Sequence, residues 1–220
     1  MNVMVVGSGG REHALVRSLL QSKDIEQIWV APGNGGTATL DRCQNLAVAA
    51  EDLDGLVQVC QEKPIDLVVV GPEVPLALGL VDRLQAIGIP VFGPTQEGAQ
   101  LEASKAWAKT LMVEQGIPTA RSATFTDRDA ALAYLKDQGA PIVIKADGLA
   151  AGKGVTVALT LAEAETAIEA AFGGKFGAAG HCLVIEEYLT GAEVSILAFT
   201  DGKTIRPLLP AQDHKRIGEG

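Results

Sequence analysis

The chain has 220 residues, 47% hydrophobic and 20% charged, with a formal net charge of −9. That is enough apolar material for a sizeable core in one or two domains, and no run reaches the length of a transmembrane span. The acidic balance argues against nucleic acid and anionic membranes as partners.

Cys43, Cys60 and Cys182 are odd in number, widely spaced and form no CxxC pair, which fits reduced thiols in a cytoplasmic protein. His13, His181 and His214 are too scattered to suggest a zinc site, and no metal ligand is assigned.

The first residues, Met1 to Gly7, read as a buried strand and not as a signal peptide, because a basic stretch and a long apolar segment are both missing. The pattern then predicts a helix over Arg11–Gln21, a strand over Gln27–Ala31 and a helix over Leu53–Gln61. A strand over Asp66–Val70, a helix over Leu76–Ile87 and a short strand from Pro90 to Phe92 follow. Continuous apolar strands alternating with amphipathic helices imply a parallel sheet covered on both faces. Glycine or proline loops close these strands: Gly7-Ser8-Gly9-Gly10, Pro32-Gly33-Asn34-Gly35-Gly36, Gly71-Pro72-Glu73 and Gly93-Pro94-Thr95. In open α/β sheets, ligands bind beyond the carboxyl ends of strands. Four such loops on one edge mark a site candidate, although ordinary βα turns explain that half equally well.

After Pro94 the pattern changes. A helix is predicted over Ser104–Gln115, stopped by Gly116 and Pro118, then a strand over Ala123–Phe125 and a helix from Asp127 to about Gln138. Thr160-Leu161-Ala162-Glu163 is a capping box that opens a helix to about Phe172. Strands are predicted over Leu183–Tyr188 and Val194–Thr200, with Asp201-Gly202 turning the chain into a hairpin over Lys203–Arg206. This second part reads as α+β with antiparallel strands.

The most informative stretch runs from Pro141 to Val155. An apolar strand, Ile142-Val143-Ile144, ends in Lys145 and enters a loop of small residues holding Gly148, Gly152, Lys153 and Gly154. Glycines bring backbone N–H groups close to an anion, and two lysines add fixed positive charge, which suits a polyphosphate. A solvated glycine hairpin is the alternative, but a charge at the edge of a buried strand needs a partner. It is not a Walker A loop, since the glycine spacing is wrong and Gly154, not Ser or Thr, follows Lys153.

Gly7-Ser8-Gly9-Gly10-Arg11-Glu12 partly matches a dinucleotide fingerprint. Glu12 stands where the third glycine belongs, and would crowd the helix and repel a pyrophosphate. Ala31-Pro32 stands where an NAD site wants an acid. A helix N-terminus there still suits a single phosphate or carboxylate, with Arg11 as a fork donor or simply facing solvent. Glu186-Glu187-Tyr188-Leu189 and Glu193 place three carboxylates in eight residues. Adjacent strand residues face opposite ways, so if both faces are covered one of Glu186 and Glu187 must meet a lysine, a hydroxyl or a base.

Taken together, residues 1–220 resemble the N-terminal half of the glycinamide ribonucleotide synthetase (phosphoribosylamine–glycine ligase) family of ATP-grasp enzymes. The resemblance rests on Gly7 to Ala14, Ala31-Pro32-Gly33-Asn34, Val70-Gly71-Pro72-Glu73, Phe92-Gly93-Pro94-Thr95 and Ser104-Lys105. It continues through Ile144 to Gly154, Ile185 to Leu189 and Gln212-Asp213-His214-Lys215-Arg216. It implies an α/β chain with a Rossmann-like parallel-sheet substrate domain over residues 1–102. An incomplete α+β ATP-grasp region over 103–220 follows, with a lid subdomain at about 123–190 and the start of a central sheet at 191–220.

By resemblance, Lys105 and Lys145 contact ATP phosphates beneath a lid formed by Gly148, Gly152, Lys153 and Gly154. Glu186, Glu187, Tyr188 and Leu189 form the segment that reads adenine through backbone groups, and Glu193 binds the ribose. Gly9, Gly10, Arg11, Glu12, Pro32, Gly33, Asn34, Gly71, Pro72 and Glu73 hold 5-phosphoribosylamine, and Asp213 and Lys215 line the acceptor site. The implied reaction joins glycine to that amine in purine synthesis, using ATP with Mg²⁺ or Mn²⁺, through an acyl phosphate. No catalytic side chain is assigned. Complete members continue beyond this length and carry the metal ligands there. The expectation is therefore a fragment with little ligase activity alone, whose uncovered apolar surface favours association. A nicotinamide-dependent oxidoreductase and a non-catalytic nucleotide- or sugar-phosphate-binding module are the competing readings.

Overall fold

The computed structural model describes residues 1–148 and 154–213. Five strands, β1 (Asn2–Gly7), β2 (Gln27–Pro32), β3 (Cys43–Asn45), β4 (Leu67–Val70) and β5 (Val91–Phe92), form a parallel sheet in the order β3-β2-β1-β4-β5. The apolar runs are continuous because both faces are covered. Met4 and Val6 pack with Leu56, Leu80 and Leu84 on one side, and Val3 and Val5 with Val16, Ile28 and Val30 on the other. Helices α1 (Gly10–Leu19), α2 (Leu53–Glu62), α3 (Glu73–Ala77), α4 (Leu80–Ala86) and α5 (Gln96–Ala103) complete this half.

Three elements depart from the sequence pattern. The helix predicted over Leu76–Ile87 is two helices, because Gly79 takes φ +89°, a left-handed conformation that ends α3 and starts α4. The short β3 has no buried residue, and α5 buries only Ala99, so neither carries a periodic apolar signal.

Ser104 closes α5 and, through its hydroxyl, caps α6 (Lys105–Glu114) by accepting from Trp107 N at 3.1 Å. Beyond it lie β6 (Ser122–Phe125), α7 (Arg128–Gln138), β7 (Ile142–Ala146), β8 (Val155–Ala158), α8 (Leu161–Ala170) and β9 (Leu183–Glu187). The strands form an antiparallel sheet in the order β6-β9-β7-β8, and Leu135 of α7 and Ile168 of α8 pack on Ile142, Ile144, Leu183 and Ile185. The predicted capping box is present: Thr160 Oγ1 accepts from Glu163 N, and Glu163 accepts from Thr160 N at 3.1 Å. A π-helical turn (Ala171–Lys175) follows α8.

The run Val194–Thr200 is not one strand. β10 (Glu193–Ser195) pairs with β13 (Ala211–Asp213), while β11 (Ala198–Thr200) pairs with β12 (Ile205–Pro207) across the predicted Asp201-Gly202 turn. With different partners for its two halves, the run cannot stay in register as a single strand. Among the described residues no helix is long and apolar enough to cross a membrane. An α/β parallel-sheet half followed by an antiparallel-sheet half agrees with the expected fold class.

Two candidate ligand clefts

The first cleft, about 450 Å³, opens beyond the carboxyl ends of β1 and β4 and is lined by Gly7 to Glu12 and Pro72 to Pro75. The first turn of α1 borders it, as suits an anion. Arg11 Nη1 donates to the Gly71 carbonyl at 3.0 Å and to Glu73 at 3.0 Å, with the Arg11 side chain 63% exposed. Glu73 is held below the usual carboxylate range, first by its own backbone N–H and then by Arg11. Asn34 ties the neighbouring loop in, donating to Ser8 O at 2.9 Å and Gly9 O at 3.2 Å. Gly33 N donates to Gly7 O at 3.1 Å, and Pro32 follows a cis peptide bond.

Glu12 corrects one expectation. It does not obstruct the helix; it is 5% exposed, and its Oε2 accepts from Gly9 N at 2.6 Å. Gly7 and Gly71 make the room: a Cβ on either would stand 2.6 Å from Glu12 Cγ. The carboxylate thereby occupies an N–H that a pyrophosphate would need, so nothing here favours a dinucleotide.

The second cleft, about 410 Å³, lies between α6 and the antiparallel sheet. Lys105, Lys109, Lys145, Glu102 and Glu186 bring three cations and two acids to its lining. Val143 lies opposite Glu186 in the β7–β9 register and Lys145 opposite Val184, so Lys145 and Glu186 are diagonal neighbours on one face. Lys145 Nζ donates to Glu186 Oε2 at 2.8 Å, which supplies the partner that its place at a buried strand edge demands. Lys105 Nζ donates to the Gly148 carbonyl at 3.0 Å. Asp147 fixes the end of β7 to the start of α6, accepting from Ala106 N at 3.1 Å and from the Ser104 hydroxyl at 3.1 Å.

Glu186 and Glu187 do face opposite ways. Glu187 accepts from Arg121 N at 2.8 Å and Nε at 2.9 Å, and the backbone N–H, then the guanidinium, pulls its carboxyl low. With Tyr188 it lines a separate hollow beside Arg121, while Leu189 lines the cation cleft. Glu193 lies in β10, and Gly154 O accepts from Ala146 N at 2.7 Å. Gly152, Lys153 and Lys215 fall outside the described residues, as does the side chain of Asp213, whose backbone pairs with Glu193.

Lys109 is the residue that sequence reasoning missed. It is 8% exposed, donates to Thr119 Oγ1 at 2.8 Å and to the Ala120 carbonyl at 2.9 Å, and lies 3.5 Å from Glu186 Oε2. Its spacing of four from Lys105 on one helix face was the available signal.

Residues 1–102 match the family model for the phosphoribosylglycinamide synthetase N domain, and residues 103–220 that for its ATP-grasp (A) domain. The whole chain is 66% identical to a phosphoribosylamine–glycine ligase of Nostoc sp. and 58% identical to one of Synechocystis sp., covering 52% of each. It thus spans about half the length of the curated relatives it matches. Among solved structures, phosphoribosylamine–glycine ligase of Thermotoga maritima superposes with a TM-score of 0.79 at 31% identity, covering 98% of this chain and 51% of that one. The biotin carboxylase domain of a Hydrogenobacter thermophilus 2-oxoglutarate carboxylase shares the fold at 20% identity and a TM-score of 0.74, covering 96% of this chain and 49% of that one.

Proposed function

The chain belongs to the phosphoribosylglycinamide synthetase family, and from that premise we propose that it supplies the sugar-phosphate cleft and one wall of the nucleotide cleft of an ATP-dependent carbon–nitrogen ligase. The reaction joins the carboxylate of glycine to the amine of 5-phosphoribosylamine, giving glycinamide ribonucleotide, ADP and phosphate, in cytoplasmic purine synthesis. ATP supplies the phosphoryl group that turns an unreactive carboxylate into glycyl phosphate. The observation that carries this reading is the convergence of Lys105 and Lys145 on one cleft walled by α6 and β9.

Phosphoryl transfer asks a protein for positioning and charge neutralisation more than for a nucleophile. Lys105 and Lys145 hold the phosphates, with Gly148, Gly152, Lys153 and Gly154 beside them. Adenine lies against the backbone of Glu186 to Leu189, and Glu193 takes the ribose. Gly10 and Arg11 receive the phosphate of phosphoribosylamine at the start of α1, beside Gly9, whose N–H is held by Glu12. Glu12 keeps their loop in shape, and Pro32, Gly33, Asn34, Gly71, Pro72 and Glu73 complete that cleft. Asp213 and Lys215 serve the acceptor. Residues 1–102 act as the substrate domain and 103–220 as part of the ATP-grasp region, with a lid at about 123–190 and central-sheet strands from 191. Among the described residues no group of three or more His, Cys, Asp or Glu side chains suits a metal ion, so Mg²⁺ or Mn²⁺ is assigned no ligand and no step here.

Calorimetric titration with Mg·ATP tests the nucleotide half. Lys145→Ala should weaken binding by about 1.5–3 kcal/mol, the range for a hydrogen bond to a charged group. Equal affinities in wild type and variant would remove Lys145 from the site.

A further inference from the structure

Two lysines converge on one oxygen of a buried carboxylate, Glu186 Oε2, and they are not equivalent. Lys145 makes its one hydrogen bond among the described residues to that oxygen, and its side chain stays 28% exposed in the cleft. An ammonium has three N–H donors, so two remain for a ligand. Lys109 is 10% exposed at the side chain, and Thr119, the Ala120 carbonyl and Glu186 surround its ammonium. Lys109 is held on three sides, and Lys145 is the partner with donors to spare. A buried carboxylate stripped of its last cation is strongly disfavoured. If Lys109 were absent, phosphates drawing on Lys145 would strand Glu186.

We propose that Lys109 is a positioning residue for nucleotide binding: as the standing counter-ion of Glu186, it frees Lys145 to turn from that carboxylate to the phosphates of ATP. The inference rests on the nucleotide reading of this cleft. The other charges on the packed elements do not replace it. Among the described residues Lys105 of α6 forms no ion pair with Glu186 and donates to the Gly148 carbonyl, Glu102 of α5 is acidic, and Glu187 turns to Arg121 on the opposite face of β9.

One test needs no nucleotide. Lys109→Met and Lys145→Met each leave Glu186 one cation, and the double variant leaves none. Its Tm should therefore fall about 4 °C or more below the sum of the single losses, and adding Glu186→Gln should recover that excess. Strict additivity would overturn the counter-ion role.

The second test is Mg·ATP binding by calorimetry. Lys109→Met should weaken it about tenfold or more, because phosphates and Glu186 then compete for Lys145. Lys109→Arg should retain most of the affinity, and Glu186→Gln added to Lys109→Met should restore it. A loss that Glu186→Gln leaves unrestored would mark Lys109 as merely structural and end the proposal. Should Lys109→Met fail to fold, Thr119→Val loosens the same ammonium, and its smaller loss must show the same rescue. Wild type that fails to bind Mg·ATP would overturn the exchange as a property of this chain, while the thermal coupling independently decides whether Lys109 is the counter-ion.

Discussion

Replacing Gly71 by alanine isolates the seat of Glu12. The added Cβ would stand 2.6 Å from Glu12 Cγ and 2.7 Å from Cδ. Non-bonded carbons settle at about 3.5 Å or more, so the carboxylate arm must move by about 1 Å. It has no free direction, because Gly7 closes the other side and the residue is 5% exposed. Displacement breaks the 2.6 Å bond from Gly9 N, worth about 1.5–3 kcal/mol for a charged acceptor. Holding position instead imposes overpacking of about 1–3 kcal/mol. The cheaper of the two sets the expected cost, about 1–3 kcal/mol, read as a lower urea midpoint at unchanged slope. In a Glu12→Ala background the three nearest atoms are gone and the same substitution should cost within about 0.5 kcal/mol. An equal cost in both backgrounds, or none in either, would refute the argument that Gly71 is glycine for the sake of Glu12.

Thr119→Val keeps the shape but removes one acceptor from the Lys109 ammonium, and should cost about 1–3 kcal/mol in chemical denaturation. Burial pushes the Cys60 thiol up to about 11 from an ordinary value of 9.0. The folded state thus favours the neutral thiol, and this contribution is whole below pH 9 and lost as pH rises towards 11. Stability should drop on the order of 2 kcal/mol across that window in wild type relative to Cys60→Ala, measured by urea midpoints at stepped pH. A matching drop in both proteins would show that Cys60 is not the group involved. Gly79→Ala should destabilise by about 1–2 kcal/mol, because φ +89° suits glycine alone at the break between α3 and α4; an unchanged midpoint would mean the break relaxes.

The legible parts of the chain were those with local signals. β1, β2 and β4 announce themselves as unbroken apolar runs, and Thr160 with Glu163 as a cap. Lys145 was readable as a charge needing a partner, and one of Glu186 and Glu187 as a carboxylate needing a lysine, a hydroxyl or a base, but only the fold joins Lys145 to Glu186. The break at Gly79 was hidden because Leu76, Leu80, Val81 and Leu84 keep a helical period across it. β8 was overlooked because its pairing with β7 is a tertiary fact about four residues after a glycine loop. For Lys109 the spacing of four from Lys105 was the one local signal, and it says nothing of burial. Its burial depends on Thr119, Ala120 and Glu186, and an amphipathic helix ordinarily turns lysines outward.

Ser104 is where the chain changes allegiance. Up to Ala103, α5 answers to the helices of the first half: Gln96 N donates to Asp82 of α4 at 2.7 Å, and its amide to the Ala77 carbonyl of α3 at 3.0 Å. From Lys105 onward, α6 answers to the second, through the grip of Asp147 on Ser104 and Ala106. A hinge at this point has an unusual constraint, since one residue finishes α5 through its backbone N–H, donated to the Gln100 carbonyl, and begins α6 through its hydroxyl. Rotation between the halves would have to pivot about that hydroxyl or break it. A cut between residues 102 and 103, where the two family models meet, severs α5 from Ala103 and from its C-cap Ser104, which stay with α6 under the hold of Asp147. Through Ser104, α5 and α6 travel together, and a division of the chain between them costs both helices an end.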